Sequence, residues 1–207
     1  AGGVPKTAGM VVQQCGVGLV RIRQTGPRLA FGAPPLKRTG PLEAELLARI
    51  VAGLGVARED VLHHQWVDNG PGWGALMLKS AAAVRALKVD WSVLGAIKLG
   101  VVGPQPAGED TAFEVRAFFN GVEDPVTGSL NASLAQWLIG AGLAPAQYVA
   151  AQGSALQRAG REMLGEHRAA FLDRGHEAVA GAPLADARDQ GRDRVVPDLL
   201  ADPVVDA

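Results

Sequence analysis

The 207-residue sequence contains a single cysteine, Cys15, so it cannot form an intramolecular disulfide bond. This is typical of proteins that fold in a reducing compartment, and we expect a cytoplasmic protein. No apolar run approaches the roughly 20 residues that a membrane-spanning helix requires, which argues against a membrane protein. The net charge is only −1, and no basic stripe follows the chain. Binding to nucleic acid is therefore not expected.

Apolar residues make up 48% of the sequence, which is enough for a sizeable core. Two segments have helical periodicity. The first helix ends at Gly55, with Thr39 as its cap and Pro41 in its first turn, and the second covers residues 128–143. The apolar face of the first helix comprises Leu42, Leu46, Leu47, Ile50, Val51 and Leu54. Ser80 caps a third, short helix.

Short apolar runs between turn signals predict strands around these helices. They lie within residues 9–33, 61–69, 73–79, 96–102, 111–119 and 147–151. Strands and helices do not alternate regularly, so the pattern predicts an α+β fold. After about Gln157 the chain is rich in Arg, Asp, Glu, Ala and Gly and shows no convincing strand pattern. We expect residues 175–207 to be poorly ordered.

The segment 123–129, with the sequence Glu-Asp-Pro-Val-Thr-Gly-Ser, opens the second strong helix. A helix N-terminus presents unpaired N–H groups and the positive end of the helix dipole. Thr127, Gly128 and Ser129 would therefore hold a carboxylate or another anion, with Asp124 beside it to bind an amine or hydroxyl or to relay a proton. The alternative is an ordinary capped helix in which these side chains serve only as caps, and spacing alone favours that alternative.

The 123–129 segment closely resembles the Glu-Asp-Pro-(Ala/Val)-Thr-Gly-Ser motif of PhzF-like proteins, and this resemblance favours the functional interpretation. Further segments with family-like sequences occur in the family order, at residues 13–20, 66–73, 113–119 and 148–153. The resemblance extends from residue 1 to about Gly160.

The resemblance implies a diaminopimelate-epimerase-like fold, with two similar domains that each wrap a curved sheet around a central helix. We expect residues 1–95 to hold the remainder of a truncated first domain, 96–160 the core of the second, and 161–207 an atypical, partly disordered tail. The implied activity is isomerisation of a small carboxylated metabolite without metal or organic cofactor, in a homodimer. The name-giving member shifts a proton on a dihydro-hydroxyanthranilate.

The resemblance also implies roles for individual residues. Asp124 and Ser129 would be the catalytic or substrate-binding pair of the second domain. Glu123, Thr127 and Gly128 would bind substrate, together with Trp73, which the 70–72 turn would bring to the cleft between the domains.

Two departures from the family pattern point to a fragment. The family's acid/base glutamate and its Gly-His-Pro-Thr-like motif have no counterpart in this sequence, so residue 1 corresponds to a point after both. The family's C-terminal β-hairpin pattern begins at Arg158 and is lost from Glu162 onward. The rival hypothesis is a catalytically dead remnant that only binds a small anion or self-associates. The presence of the missing motifs in the upstream coding region would discriminate the two.

Two other sites have less support. Cys15 lies in a Cys-Gly-Val-Gly segment that invites comparison with cysteine-dependent epimerases, but no second cysteine exists, and a buried strand cysteine is the better interpretation. His63 and His64 are adjacent on a predicted strand and point to opposite faces, so they cannot chelate one metal ion together.

We predict that the chain as given has no isomerase activity on any small carboxylate. Proton abstraction from carbon needs a base within about 3 Å of the proton or one water away, and the family's glutamate base is missing. We also expect uncovered apolar surface at Leu46, Ile50 and Leu54, and hence an oligomeric or poorly soluble chain. Turnover assays and light scattering check both points, and a well-behaved monomer with turnover would contradict them.

Overall fold

The computed structural model describes residues 7–15, 18–25, 28–158, 160–165, 169–172 and 194–195. The helices are α1 (Ala44–Leu54), α2 (Ala81–Arg85), α3 (Trp91–Leu94) and α4 (Gly128–Gly140). The strands are β1 (Met10–Cys15), β2 (Gly18–Thr25), β3 (Arg28–Gly32), β4 (Val61–Trp66), β5 (Gly74–Leu78), β6 (Leu99–Pro104), β7 (Phe113–Phe119), β8 (Val122–Asp124), β9 (Gln147–Gln152), β10 (Gly160–Gly165), β11 (Ala169–Leu172) and β12 (Arg194–Val195). The predicted α+β class is confirmed.

One continuous sheet connects these strands in the order β12-β1-β2-β3-β11-β10-β9-β7-β6-β5-β4, with β8 paired to β7. The pairs β5–β6 and β7–β9 are parallel, and the other pairs are antiparallel. No helix in the described ranges is long and apolar enough to cross a membrane. The predicted domain boundaries stay a prediction.

Two hydrophobic cores lie on the two faces of the sheet, because side chains alternate along each strand. On β5, Ala75 and Met77 belong to the core around α4, whereas Leu76 and Leu78 belong to the core around α1 and α3. Helix α4 is largely buried, since β3, β5, β6, β7, β9 and β10 contribute side chains to its core. Helix α4 therefore corresponds to the central helix that the family resemblance implied.

Helix α1 begins later than predicted. Its N-cap is Glu43, so Thr39 and Pro41 lie before the helix, and the predicted start is wrong. The Glu43 side chain makes no cap bond and instead accepts hydrogen bonds from Arg38 and from the indole of Trp66. The end is as predicted, because Gly55 adopts a left-handed conformation with φ 65°.

The apolar face of α1 is covered, contrary to expectation. Ile50 and Leu54 are buried and Leu46 packs partly buried against the same core. Helix α3 and strands β5 and β6 supply the covering side chains, namely Leu76, Leu78, Leu94 and Leu99. The expectation of uncovered apolar surface is therefore wrong for Ile50 and Leu54, whereas self-association of the chain stays a prediction.

Strands continue beyond Gln157, so the prediction that they end there is also wrong. Strand β10 pairs antiparallel with β9, and β11 pairs with β10 and with β3. Leu164 on β10 is buried in the core around α4. Of the segment predicted to be disordered, only Arg194–Val195 is described, and it pairs with β1. The remainder of residues 175–207 lies outside the described residues.

The other local predictions fare better. Ser80 caps α2 by accepting a hydrogen bond from the backbone of Ala83 at 3.1 Å, as predicted. His64 Nδ1 accepts a hydrogen bond from the backbone N–H of Leu42 at 3.2 Å. Burial, with the charge of Arg58, lowers the pKa of His64. No group of three potential metal ligands occurs among the described residues.

Close packing between α2 and β6 requires glycine at residue 103. A methyl group there would lie 2.4 Å from the carbonyl oxygen of Ser80 and 2.7 Å from Val84 Cγ2. We predict that Gly103→Ala lowers the free energy of unfolding by about 1–3 kcal/mol, since backbone cannot move aside cheaply. The control is Gly140→Ala at the end of α4, which has open space and should be neutral or slightly stabilising. Urea unfolding measures both, and equal effects would contradict the packing account.

Candidate active site

The 123–129 motif links the end of β8 to the first turn of α4. Asp124 closes β8, Thr127 is the N-cap residue, and Ser129 lies in the first turn. The Thr127 hydroxyl makes no cap hydrogen bond and instead donates to Asp124 Oδ2 at 2.8 Å. The capping interpretation therefore fails for Thr127. In the described part of the chain, no acceptor reaches the backbone N–H groups of Gly128 and Ser129.

The Ser129 hydroxyl is oriented by Trp73, whose indole Nε1 donates to Ser129 Oγ at 3.1 Å. Trp73 is buried and follows the 70–72 turn, so it lies beside the motif, while its predicted place in a cleft between domains stays a prediction. Because Oγ accepts this bond, the hydroxyl proton of Ser129 remains available for another acceptor. Asn69 Nδ2 holds the Ser129 carbonyl at 3.0 Å from the same loop.

A buried network centred on Gln152 holds the motif turn. Its Oε1 accepts from the backbone of Thr127 at 3.1 Å and from Asn131 Nδ2 at 2.6 Å. Its Nε2 donates to the Asp124 carbonyl at 2.8 Å and to the Thr127 hydroxyl at 3.0 Å. All four hydrogen-bonding positions of the amide are used, so β9 fixes the geometry of the turn.

Two glycines let the chain after β9 pack against the motif. Gly153 has φ 90°, and a methyl group there would lie 2.7 Å from the carbonyl oxygen of Pro125. A methyl group on Gly160 would lie 2.6 Å from the Gln152 carbonyl oxygen and 2.8 Å from Val126 Cγ2. Only residues without a side chain fit this closely against the 125–126 turn.

Glu123 lies on the opposite face of the sheet from Asp124. On the neighbouring strand β7, Glu123 lies opposite Phe118, which belongs to the core around α1. Asp124 lies opposite Ala117, which belongs to the core around α4. The Glu123 carboxylate makes a two-bond ion pair with Arg116, at 2.9 and 2.6 Å. Arg116 in turn donates to the carbonyl groups of Val84 and Leu87. The structure therefore does not bring Glu123 together with the other predicted site residues.

Three contributors were missed from sequence. Gln152 and Asn131 read as ordinary strand and helix residues, and Asn69 read as part of an Asn-Gly turn. The signal that could have found them is a side-chain amide at a position that the hydrophobic pattern predicts to be buried, since a buried amide needs hydrogen-bond partners. Cys15 ends β1 opposite Gly18, and its side chain lies outside the description.

Comparison with known proteins agrees with this geometry. The family model PhzC-PhzF, described as phenazine biosynthesis-like protein, matches residues 2–174, and the chain belongs to this family. Among proteins with curated descriptions, none matches the sequence.

Solved structures of the same family share the fold. A PhzF family protein from Enterococcus faecalis has 20% identity and a TM-score of 0.60, with coverage of 81% of this chain and 62% of that one. A PhzF family protein from Bacillus anthracis has 14% identity and a TM-score of 0.60, with coverage of 81% and 65%. A predicted epimerase from Pseudomonas aeruginosa has 19% identity and a TM-score of 0.53, with coverage of 74% and 58%. The chain thus spans less than two thirds of the length of each.

We predict that Gln152→Leu destabilises the protein by about 2–4 kcal/mol, because it leaves the buried Thr127 N–H and the buried Asn131 amide without their acceptor. The matched control is Gln147→Leu, an exposed position on the same strand, which should change stability by less than about 0.5 kcal/mol. Chemical denaturation measures both variants. Similar values for the two would show that the network does not hold the turn.

Proposed function

We propose that the chain carries the substrate-holding half of a cofactor-independent isomerase or epimerase. The reaction is removal and return of a proton at carbon in a small carboxylated substrate. Family membership and the epimerase-like fold support the reaction class. The motif geometry supports the roles of individual residues.

The observation that carries the proposal is the open first turn of α4 beside an oriented hydroxyl. The N–H groups of Gly128 and Ser129 and the hydroxyl proton of Ser129 are three donors without an acceptor in the described part of the chain. They lie at the positive end of a 13-residue helix. A substrate carboxylate is the ligand that such donors bind.

Asp124 takes the second role. One carboxylate oxygen accepts from Thr127 at 2.8 Å, and among the described residues the other accepts only from the Val126 N–H, at 3.5 Å. This second oxygen has capacity for a substrate amine or hydroxyl. Asp124 assists, and the proton at carbon is moved by the glutamate that the family places in its first domain.

The rival function is binding of a small anion without turnover. This rival is favoured because the neighbouring carboxylates in the described part of the chain are already engaged in ion pairs or hydrogen bonds. Glu123 is occupied by Arg116, and one oxygen of Asp68 accepts the backbone N–H groups of Gly70 and Gly72. Neither is placed to act as the base.

Binding is tested by NMR titration of the chain with 2-aminobenzoate, a stable cyclic carboxylate. We expect saturable shifts of the Gly128 and Ser129 amides. Ser129→Ala and Asp124→Asn should weaken binding by about tenfold, the equivalent of one charge-assisted hydrogen bond. The control Glu45→Gln removes an exposed carboxylate on α1 and should bind normally. Absence of shifts at the helix start would overturn the proposed site.

Turnover is tested in a form of the protein that also carries the glutamate-bearing segment. Deuterium incorporation from D₂O into a dihydro-hydroxyanthranilate measures proton transfer at carbon. Asp124→Asn should lower the rate by about 10²-fold or more with little change in melting temperature. Binding without any deuterium incorporation would support the rival function. Equal loss of melting temperature and rate would make Asp124 a structural residue.

A further inference from the structure

A second pocket lies on the other face of the β7–β9 pair from the 123–129 motif. Its volume is about 400 Å³, which is within the usual range for small-molecule sites. Loop residues 105–111, strand β7, Arg85 of α2 and the turn after β9 form its walls. Ala151 lines this pocket, while its neighbour Gln152 faces α4, so the two sites are separated by the thickness of the sheet.

A buried carboxylate with an unfilled position lies in the wall of the pocket. The Glu114 side chain is fully buried, and its Oε2 accepts from Arg85 at 3.1 Å. Its Oε1 has no hydrogen-bond partner among the described residues. An unpaired buried acceptor is costly, about 1–3 kcal/mol, so such an atom calls for a donor. Arg85 and Gln105 both donate to Oε2 and not to Oε1, and both are less buried than Glu114.

Two further arginines, Arg158 and Arg161, line the pocket together with the carboxylates of Glu109 and Asp110. Arg158 lies in the turn after β9, Arg161 is the second residue of β10, and both are exposed. Within the described ranges, no acceptor pairs with the Arg158 side chain, and Arg161 makes only a loose, exposed contact of 3.8 Å with Asp110. Guanidinium groups in this state are available for a carboxylate.

We propose that this pocket binds a small zwitterion, with its ammonium group on Glu114 Oε1 and its carboxylate on Arg158 and Arg161. A ligand with one group of each sign matches the mixed charge of the lining. A simple anion would leave Glu114 unpaired, and a simple amine would leave the two arginines unpaired. The site is independent of the proposed isomerase function, because it uses none of the residues of the 123–129 motif.

The test compares matched probes by NMR titration of the whole chain. The straight-chain amino acids from glycine to 6-aminohexanoate cover the unknown spacing between the two charges. Each is compared with the carboxylic acid and the amine of the same length. We expect at least one amino acid to shift the Thr111 and Ala151 amides saturably, with a Kd at least tenfold below those of its two counterparts. Equal affinities within each trio, as a merely water-filled cleft predicts, would overturn the proposal.

Variants locate the binding. Glu114→Gln keeps a partner for Arg85 but removes the charge, and Arg158→Gln alters an exposed residue. Each variant should weaken binding of the preferred amino acid by at least tenfold. Arg21→Gln on β2, outside the pocket, and Asp124→Asn in the motif should bind it normally. If Glu114→Gln does not fold, Arg158→Gln decides, and unchanged affinity in that variant would contradict the proposal.

Discussion

The side-chain amide of Gln152 is the contact on which the candidate active site depends. It joins strand β9, the turn after β8 and the first turn of α4 through four hydrogen bonds of a side chain that is itself buried. A buried amide with all its hydrogen-bonding positions filled has one favourable arrangement, since any other arrangement leaves a polar group without a partner. Asp124 and Ser129 are therefore held by a rigid support that touches neither of their functional atoms, and the helix start stays open for a ligand.

Because side chains alternate along a strand, the two adjacent acidic residues of the motif lie on opposite faces of the sheet and make different contacts. Asp124 faces α4 and borders the open helix start, whereas Glu123 faces α2 and forms a nearly buried ion pair with Arg116. The same alternation separates Gln152 from Ala151 and Val115 from Glu114. The parallel pair β7–β9 thus has the 123–129 motif on one face and a pocket of mixed charge on the other.

Local signals in the sequence were sufficient for the main helices, for the Ser80 and Gly55 caps and for the position of the 123–129 motif. They were insufficient for contacts between distant residues. Asn69 meets Ser129 across 60 positions and Asn131 meets Gln152 across 21, and neither pairing leaves a periodic trace. Strand β10 was missed because its neighbour β9, and not its own composition, makes it a strand. The role of Glu123 was missed because β8 is only three residues long.

The most direct test of this account is a double-mutant cycle between Gln152 and Asn131, measured by urea unfolding of Gln152→Ala, Asn131→Ala and the double variant. Their side chains meet at 2.6 Å, so the account predicts a coupling energy of about 1–3 kcal/mol. Separate contributions that add to within about 0.5 kcal/mol would show that the two amides act independently. That result would contradict the claim that a single buried network positions the motif.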